Sequence, residues 1–75
     1  IPHDWLVQFE ERQQLFEALQ KLKPLQREIL IYRKIEELSI EETSKITGLS
    51  ATKIANTQRS AMKKLQQILG GGWND

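Results

Sequence analysis

Apolar residues recur along the N-terminal part of the chain at spacings of three, four or their sum, which is the pattern of an amphipathic helix. The apolar stripe consists of Trp5, Leu6, Phe9, Phe16, Leu19 and Leu22. Asp4 has a side chain suited to the N-cap position. Pro24 interrupts the pattern because proline lacks the backbone N–H that an inner helical turn requires. We therefore predict a first helix over about residues 5–21.

A second helix is predicted over about residues 25–36. Pro24 suits its first turn, where the missing N–H would have no helical partner in any case. The segment 29–32 is rich in β-branched and aromatic residues and has the composition of a strand. The residues around that segment favour a helix by their propensity, and they are Gln26, Arg27, Glu28, Arg33 and Lys34.

A third, short helix is predicted over residues 40–47. Ser39 followed three residues later by Glu42 forms a capping box, in which each side chain accepts a hydrogen bond from an unpaired backbone N–H. Gly48 follows eight residues after the helix start and suits the left-handed conformation that ends a helix.

Ser50 is positioned as the N-cap of a fourth helix, which we predict over residues 51–69. The three glycines that follow have no side chains to pack, so we expect a flexible tail over residues 70–75. We interpret Trp73 as a vector remnant, and an anchor to a partner is the alternative. The four helices predict an all-α fold, a small four-helix domain over residues 1–69.

The third and fourth helices have the features of a helix-turn-helix. Such a motif needs a small residue where its helices cross, a glycine in the turn, and a branched apolar residue that anchors the second helix. Ser44, Gly48 and Ile54 occupy these three places at the required spacing. We therefore predict a helix-turn-helix over residues 39–69.

The fourth helix is predicted to turn one line of residues, Ile54, Gln58, Ala61 and Leu65, towards the core. The opposite side is polar and basic. Asn and Arg side chains can each bond a base edge at two points, while Ser, Thr and Lys can hold phosphates. We predict DNA contacts by Ala51, Thr52, Lys53, Asn56, Arg59, Ser60, Lys63 and Lys64.

The charge distribution supports this interpretation, although the net charge is only +1. Residues 1–42 carry nine acidic and six basic side chains and a net charge of −3. Residues 43–75 carry five basic side chains and one acidic, a net charge of +4 that suits a polyanionic partner. A solvated helix face that happens to carry lysines would have the same charge.

Composition argues against several other classes of protein. The chain has no Cys, no apolar run of about 18 residues and no basic-then-apolar leader, so we expect a cytoplasmic domain without disulfides or membrane insertion. His3 has no second ligand residue beside it, and adjacent glutamates point to different sides of a helix. We expect no enzymatic activity, metal or cofactor. Because the chain starts at Ile1, we expect it to be part of a longer protein.

Four segments, at residues 22–30, 38–42, 47–50 and 61–65, resemble region 4 of bacterial RNA polymerase sigma factors, most closely those of the extracytoplasmic-function group. The resemblance covers about residues 12–69. It implies a four-helix domain that reads the minus-35 promoter element and directs RNA polymerase to promoters. It also implies docking on the flap of the polymerase β subunit and, in many members, masking by an anti-sigma factor.

The chain departs from this family at several positions. Ala55, Thr57 and Ser60 stand where the family often has basic residues, which predicts a weaker grip on phosphates. This departure also leaves open a protein-interaction module of the same fold with little DNA binding. A response-regulator output domain is a further alternative, because it shares a similar pair of helices.

Other departures concern the core. Gln58 replaces an apolar residue on the inward line, and Thr43 with Ser44 replaces a family Ile-Ala pair. A buried Gln58 or Thr43 requires a hydrogen-bond partner. Glu37 stands where a helix-ending glycine is common, so the second helix is expected to end differently.

Overall fold

The structure, a computed structural model, describes the backbone of residues 3–70 and the side chains of residues 7–70 apart from Phe9. The all-α fold is confirmed, with four α-helices in this part of the chain. Their bounds are α1 His3–Gln20, α2 Pro24–Leu30, α3 Ile40–Thr47 and α4 Ala51–Ile68. A π-helical turn, Ile31–Ile35, continues directly from α2. None of the helices described is both long enough and apolar enough to span a membrane.

The C-terminal part of α1 packs on the rest of the molecule. Ala18 and Leu19 are buried in one cluster with Ala61 and Leu65 of α4, and Leu15 packs against its edge. Asp4 lies inside α1, so its prediction as the N-cap is wrong. The predicted stripe is also wrong at one described position, since more than half of the Phe16 side chain is exposed.

Phe16 is exposed because the contact face of α1 is centred on other residues. Leu15, Ala18 and Leu19 span an arc of about 100° around the helix, and Phe16 lies outside that arc. Leu22, which follows the helix, is buried as predicted. Trp5, Leu6 and Phe9 of the predicted stripe, and the tail from residue 71 with Trp73, lie outside the described residues or side chains.

The second helix is shorter than predicted, because its α-helical hydrogen bonding stops at Leu30. The Glu36 N–H donates to the Ile31 carbonyl at 2.9 Å, a wider π-helical bond between residues five apart. Glu37 then adopts a φ of 58°, the left-handed conformation that glycine takes most readily. The helical segment thus ends without a glycine, because Glu37 takes the left-handed conformation at the position where the family commonly has one.

α4 is the central helix, and α1, α2 and α3 all pack against it. Its buried residues are Ile54, Thr57, Ala61 and Leu65. The prediction for the inward line is therefore correct at three positions and shifted at one. Thr57 is buried, whereas Gln58 is only half-buried at the margin of the contact.

The caps of the helix-turn-helix follow the prediction. The Glu42 N–H donates to Ser39 Oγ at 3.0 Å, and the Ser39 N–H donates to Glu42 Oε1 at 2.8 Å. Gly48 ends α3 with a φ of 77°. Ser50 Oγ accepts a hydrogen bond from the Lys53 N–H at 3.1 Å, which starts α4. α4 ends at Ile68, one residue before its predicted end.

Candidate nucleic-acid interface

The turn between α3 and α4 is held by side-chain hydrogen bonds. Ser44 Oγ donates to the Leu49 carbonyl at 2.6 Å, and the Leu49 N–H donates to Thr47 Oγ1 at 3.2 Å. Thr47 Oγ1 also donates to the Thr43 carbonyl. Ser44 is therefore more than a small residue at a helix crossing, since its hydroxyl ties α3 to the segment that starts α4.

The outward side of α4 carries most of the residues predicted to contact DNA. Seven of them fall within an arc of about 140° around the helix, while Ala51 lies outside that arc. No acidic residue occurs in α4. All eight are exposed, namely Ala51, Thr52, Lys53, Asn56, Arg59, Ser60, Lys63 and Lys64. We call these eight residues the reading face.

The three positions at which this chain lacks a basic residue common in the family differ in their exposure to solvent. Ala55 is half-buried and Thr57 is only 8% exposed, whereas Ser60 is exposed. Of the three departures, the one at Ser60 is therefore the one that removes a charge from the open surface. Its hydroxyl accepts a hydrogen bond from Gln26 Nε2 at 3.1 Å, which joins α2 to the reading face.

The inward-facing polar side chains have the partners that their position requires. Gln58 Oε1 accepts a hydrogen bond from Arg33 Nε at 3.0 Å, and Arg33 Nη1 also donates to the Leu38 carbonyl at 2.6 Å. Thr43 Oγ1 donates to the Ser39 carbonyl at 2.8 Å. Among the described residues, no buried side-chain nitrogen or oxygen lacks a partner.

Sequence reasoning missed Arg33 as a residue that positions α4. The sequence pattern identifies it only as a helix-forming residue, although the polar Gln58 on the inward line requires a partner. In the structure, Arg33 bridges the π-helical turn, the chain before α3 and the middle of α4. It therefore ties α4, whose outward side is the reading face, to the segment between α2 and α3.

A basic groove between the start of α2 and α4 was also missed. It has a volume of about 410 Å³ and includes two lysines that precede α2, Lys21 and Lys23. A neighbouring depression of about 280 Å³ extends it to Lys53 and Asn56 of the reading face. No linear pattern indicates this groove, because its walls come from segments almost 40 residues apart in the chain.

An apolar groove of about 240 Å³ lies between α1, the end of α2, the π-helical turn and α4. Leu15, Met62 and Leu65 line it, together with Ile35, whose side chain is nearly half exposed. Met62 is turned by about 120° from Asn56 around α4. The apolar groove therefore lies on a different side of α4 from Asn56, which is near the centre of the reading face.

Hydrogen bonding also shapes the electrostatics of α3. The backbone N–H of Ser39, and next its side chain, lower the pKa of Glu42 below its ordinary value of 4.5. The carboxylate form of Glu42 is thus the form that the capping box stabilises.

Comparison with known proteins places this geometry in context. The family profile described as Sigma-70, region 4 matches residues 12–65. The RNA polymerase sigma-E factors of Streptomyces antibioticus and Streptomyces coelicolor are each 34% identical over 66 residues, covering 88% of this chain and 37% of each relative. The ECF RNA polymerase sigma factor SigX of Bacillus subtilis is 33% identical over 67 residues, covering 89% of this chain and 34% of the relative. The chain thus spans about a third of the length of these relatives. No solved structure matches it significantly.

Proposed function

Because the chain belongs to the sigma-70 region 4 family, of the extracytoplasmic-function type, we propose that it binds the minus-35 promoter element by placing α4 in the major groove. The observation that carries this proposal is the reading face, whose eight residues are all exposed on the second helix of a capped helix-turn-helix. In a parent sigma factor, this contact directs RNA polymerase to promoters.

The residues of the reading face divide into two roles. Those in the first half of α4 approach the bases, because the N-terminal part of a recognition helix reaches deepest into the groove. Asn56 suits an adenine edge and Arg59 a guanine edge, since each can form two hydrogen bonds with that base. Lys63 and Lys64 lie further along α4 and contact phosphates.

We assign the apolar groove to the polymerase. A sigma domain bound to the core enzyme must leave its DNA-reading side free, and the apolar groove at Met62 is turned by about 120° around α4 from Asn56, near the centre of the reading face. Apart from Lys34, its lining consists of Leu, Ile and Met side chains, which fit an apolar segment of the flap of the β subunit. An anti-sigma factor that covered either surface would block transcription initiation.

The proposed DNA contact is tested by removing the two base-reading side chains. We expect Asn56→Ala and Arg59→Ala each to weaken binding to a duplex selected from a random pool by roughly 5- to 150-fold, because a bidentate base contact contributes about 1–3 kcal/mol. Fluorescence anisotropy of the labelled duplex measures binding by the 75-residue chain, alone and with core polymerase.

Matched controls come from α1. Gln14 and Arg12 are exposed and lie outside both grooves, so Gln14→Ala and Arg12→Ala should bind the selected duplex as the unaltered chain does. Equal affinity of the unaltered chain for selected and scrambled duplexes would instead favour a protein-interaction module. Normal binding by both the Asn56 and Arg59 variants would contradict the assignment of the reading face.

A further inference from the structure

The basic groove between the start of α2 and α4 is called the lysine groove from here on. It brings together the segment before α2 and the second half of α4. Lys21 and Lys23 line one wall, and Lys63 and Lys64 of α4 line the other. Gln26 and Ser60 connect the walls through their 3.1 Å hydrogen bond. The groove is therefore formed only when α2 packs on α4.

The lysine groove has the electrostatics of an anion site. Four lysines and no carboxylate line it. The one ion pair among the described residues joins Lys45 and Glu41 of α3, so none of the four lysines is neutralised by a salt bridge there. Several cations around one concave surface raise its positive potential and attract a polyanion.

The position of the lysine groove favours a DNA strand over a separate acidic ligand. Lys23, Gln26 and Ser60 line both this groove and the neighbouring depression, which contains Lys53 and Asn56. The surface is thus continuous from the reading face to Lys21. Duplex DNA carries about one charge per 1.7 Å of its axis, so a strand beside α4 presents successive phosphates along such a surface.

We propose that Lys21 and Lys23 bind backbone phosphates of the DNA strand that flanks the major groove in which α4 lies. This inference rests on the proposed promoter binding and deepens it. The lysine groove then supplies phosphate contacts from outside the helix-turn-helix, and these offset the charge that the reading face lacks at Ser60. The contacts carry no base information, because every sequence presents the same phosphates.

The test compares two double variants of equal charge. Lys21→Gln with Lys23→Gln removes two charges from the lysine groove, and Arg12→Gln with Lys34→Gln removes two from positions that do not line it. Lys34 lies at the apolar groove assigned to the polymerase, so both variants are measured on DNA without polymerase. Affinity for the selected and scrambled duplexes is measured between 50 and 200 mM salt, with helix content checked by circular dichroism.

A plot of log affinity against log salt has a negative slope, and we expect the groove variant to make it shallower by about two units. Binding at 0.1 M salt should fall by about ten- to one-hundredfold, since each lost phosphate contact removes about 0.9 of slope. The loss should be equal for both duplexes, so the preference for the selected sequence stays intact. The control variant should retain the original slope.

Two results would overturn the inference. One is an unchanged slope in the groove variant, as expected if the lysine groove binds an acidic protein segment. The other is an equal loss in the control variant, which would show that general charge and not contact is responsible. The proposed function is contradicted by different results. These are equal binding of the unaltered chain to both duplexes, or normal binding of the Asn56 and Arg59 variants to the selected duplex.

Discussion

At the scale of single residues, Arg33 ties the middle of α4 to the π-helical turn and to the chain before α3. Arg33→Met keeps much of the aliphatic stem and removes both hydrogen bonds, leaving Gln58 Oε1 and the Leu38 carbonyl without their partner. We expect the free energy of unfolding to fall by about 1–3 kcal/mol, measured by urea denaturation. Adding Gln58→Leu should restore part of the loss, and a double variant as unstable as the sum of the single changes would show that the two side chains are not coupled.

Glu37 is a second residue with a local effect, because it holds a left-handed conformation at a φ of 58°. A side chain costs about 1–2 kcal/mol in this conformation, whereas glycine adopts it freely but loses more entropy on folding. We expect Glu37→Gly to raise the free energy of unfolding by about 0.5–1 kcal/mol. Glu36 is the matched control, since its φ of −85° is right-handed and Glu36→Gly should destabilise the domain. A loss of stability in Glu37→Gly would contradict the argument.

At the scale of elements, the start of α3 depends on the ionised form of Glu42. Hydrogen bonds from Ser39 lower its pKa in the folded chain. The stability that they contribute is therefore present above the ordinary Glu pKa of 4.5 and is lost as the pH falls through the lower folded value.

Glu42→Gln tests this dependence, because the amide oxygen can still accept the Ser39 N–H but does not titrate. We expect the variant to be less stable than the unaltered chain at neutral pH and the difference to shrink below about pH 4.5. Thermal unfolding at a series of pH values measures it. A difference that stays constant through the acid range would rule out Glu42 as a source of the pH dependence.

At the scale of the whole molecule, α4 serves three purposes at once. Its buried side, with Ile54 and Leu65, forms the centre of the core, while its outward side is the reading face. A third side lines the apolar groove at Met62. A change in how α4 packs would therefore move the reading face and the apolar groove together, so variants such as Arg33→Met should be examined for DNA binding as well as stability.

The sequence by itself determined the features that depend on neighbouring residues. The capping box at Ser39, the left-handed Gly48 and the N-cap Ser50 each act within a few residues, so α3 and α4 are predictable from local pattern. Helical period alone also separates most of the reading face from the buried residues of α4. The family comparison confirms the identity that the motifs indicated.

Only the tertiary structure decided the features that join distant segments. Which face of α1 is buried depends on where α4 lies, so Phe16 is exposed despite its place in the apolar stripe. The π-helical turn places Arg33 against Gln58, 25 residues away, and the packing of α2 on α4 assembles the lysine groove. Side chains so far apart in the chain come into contact only when the helices pack, so a local pattern of apolar and polar residues does not predict the contact.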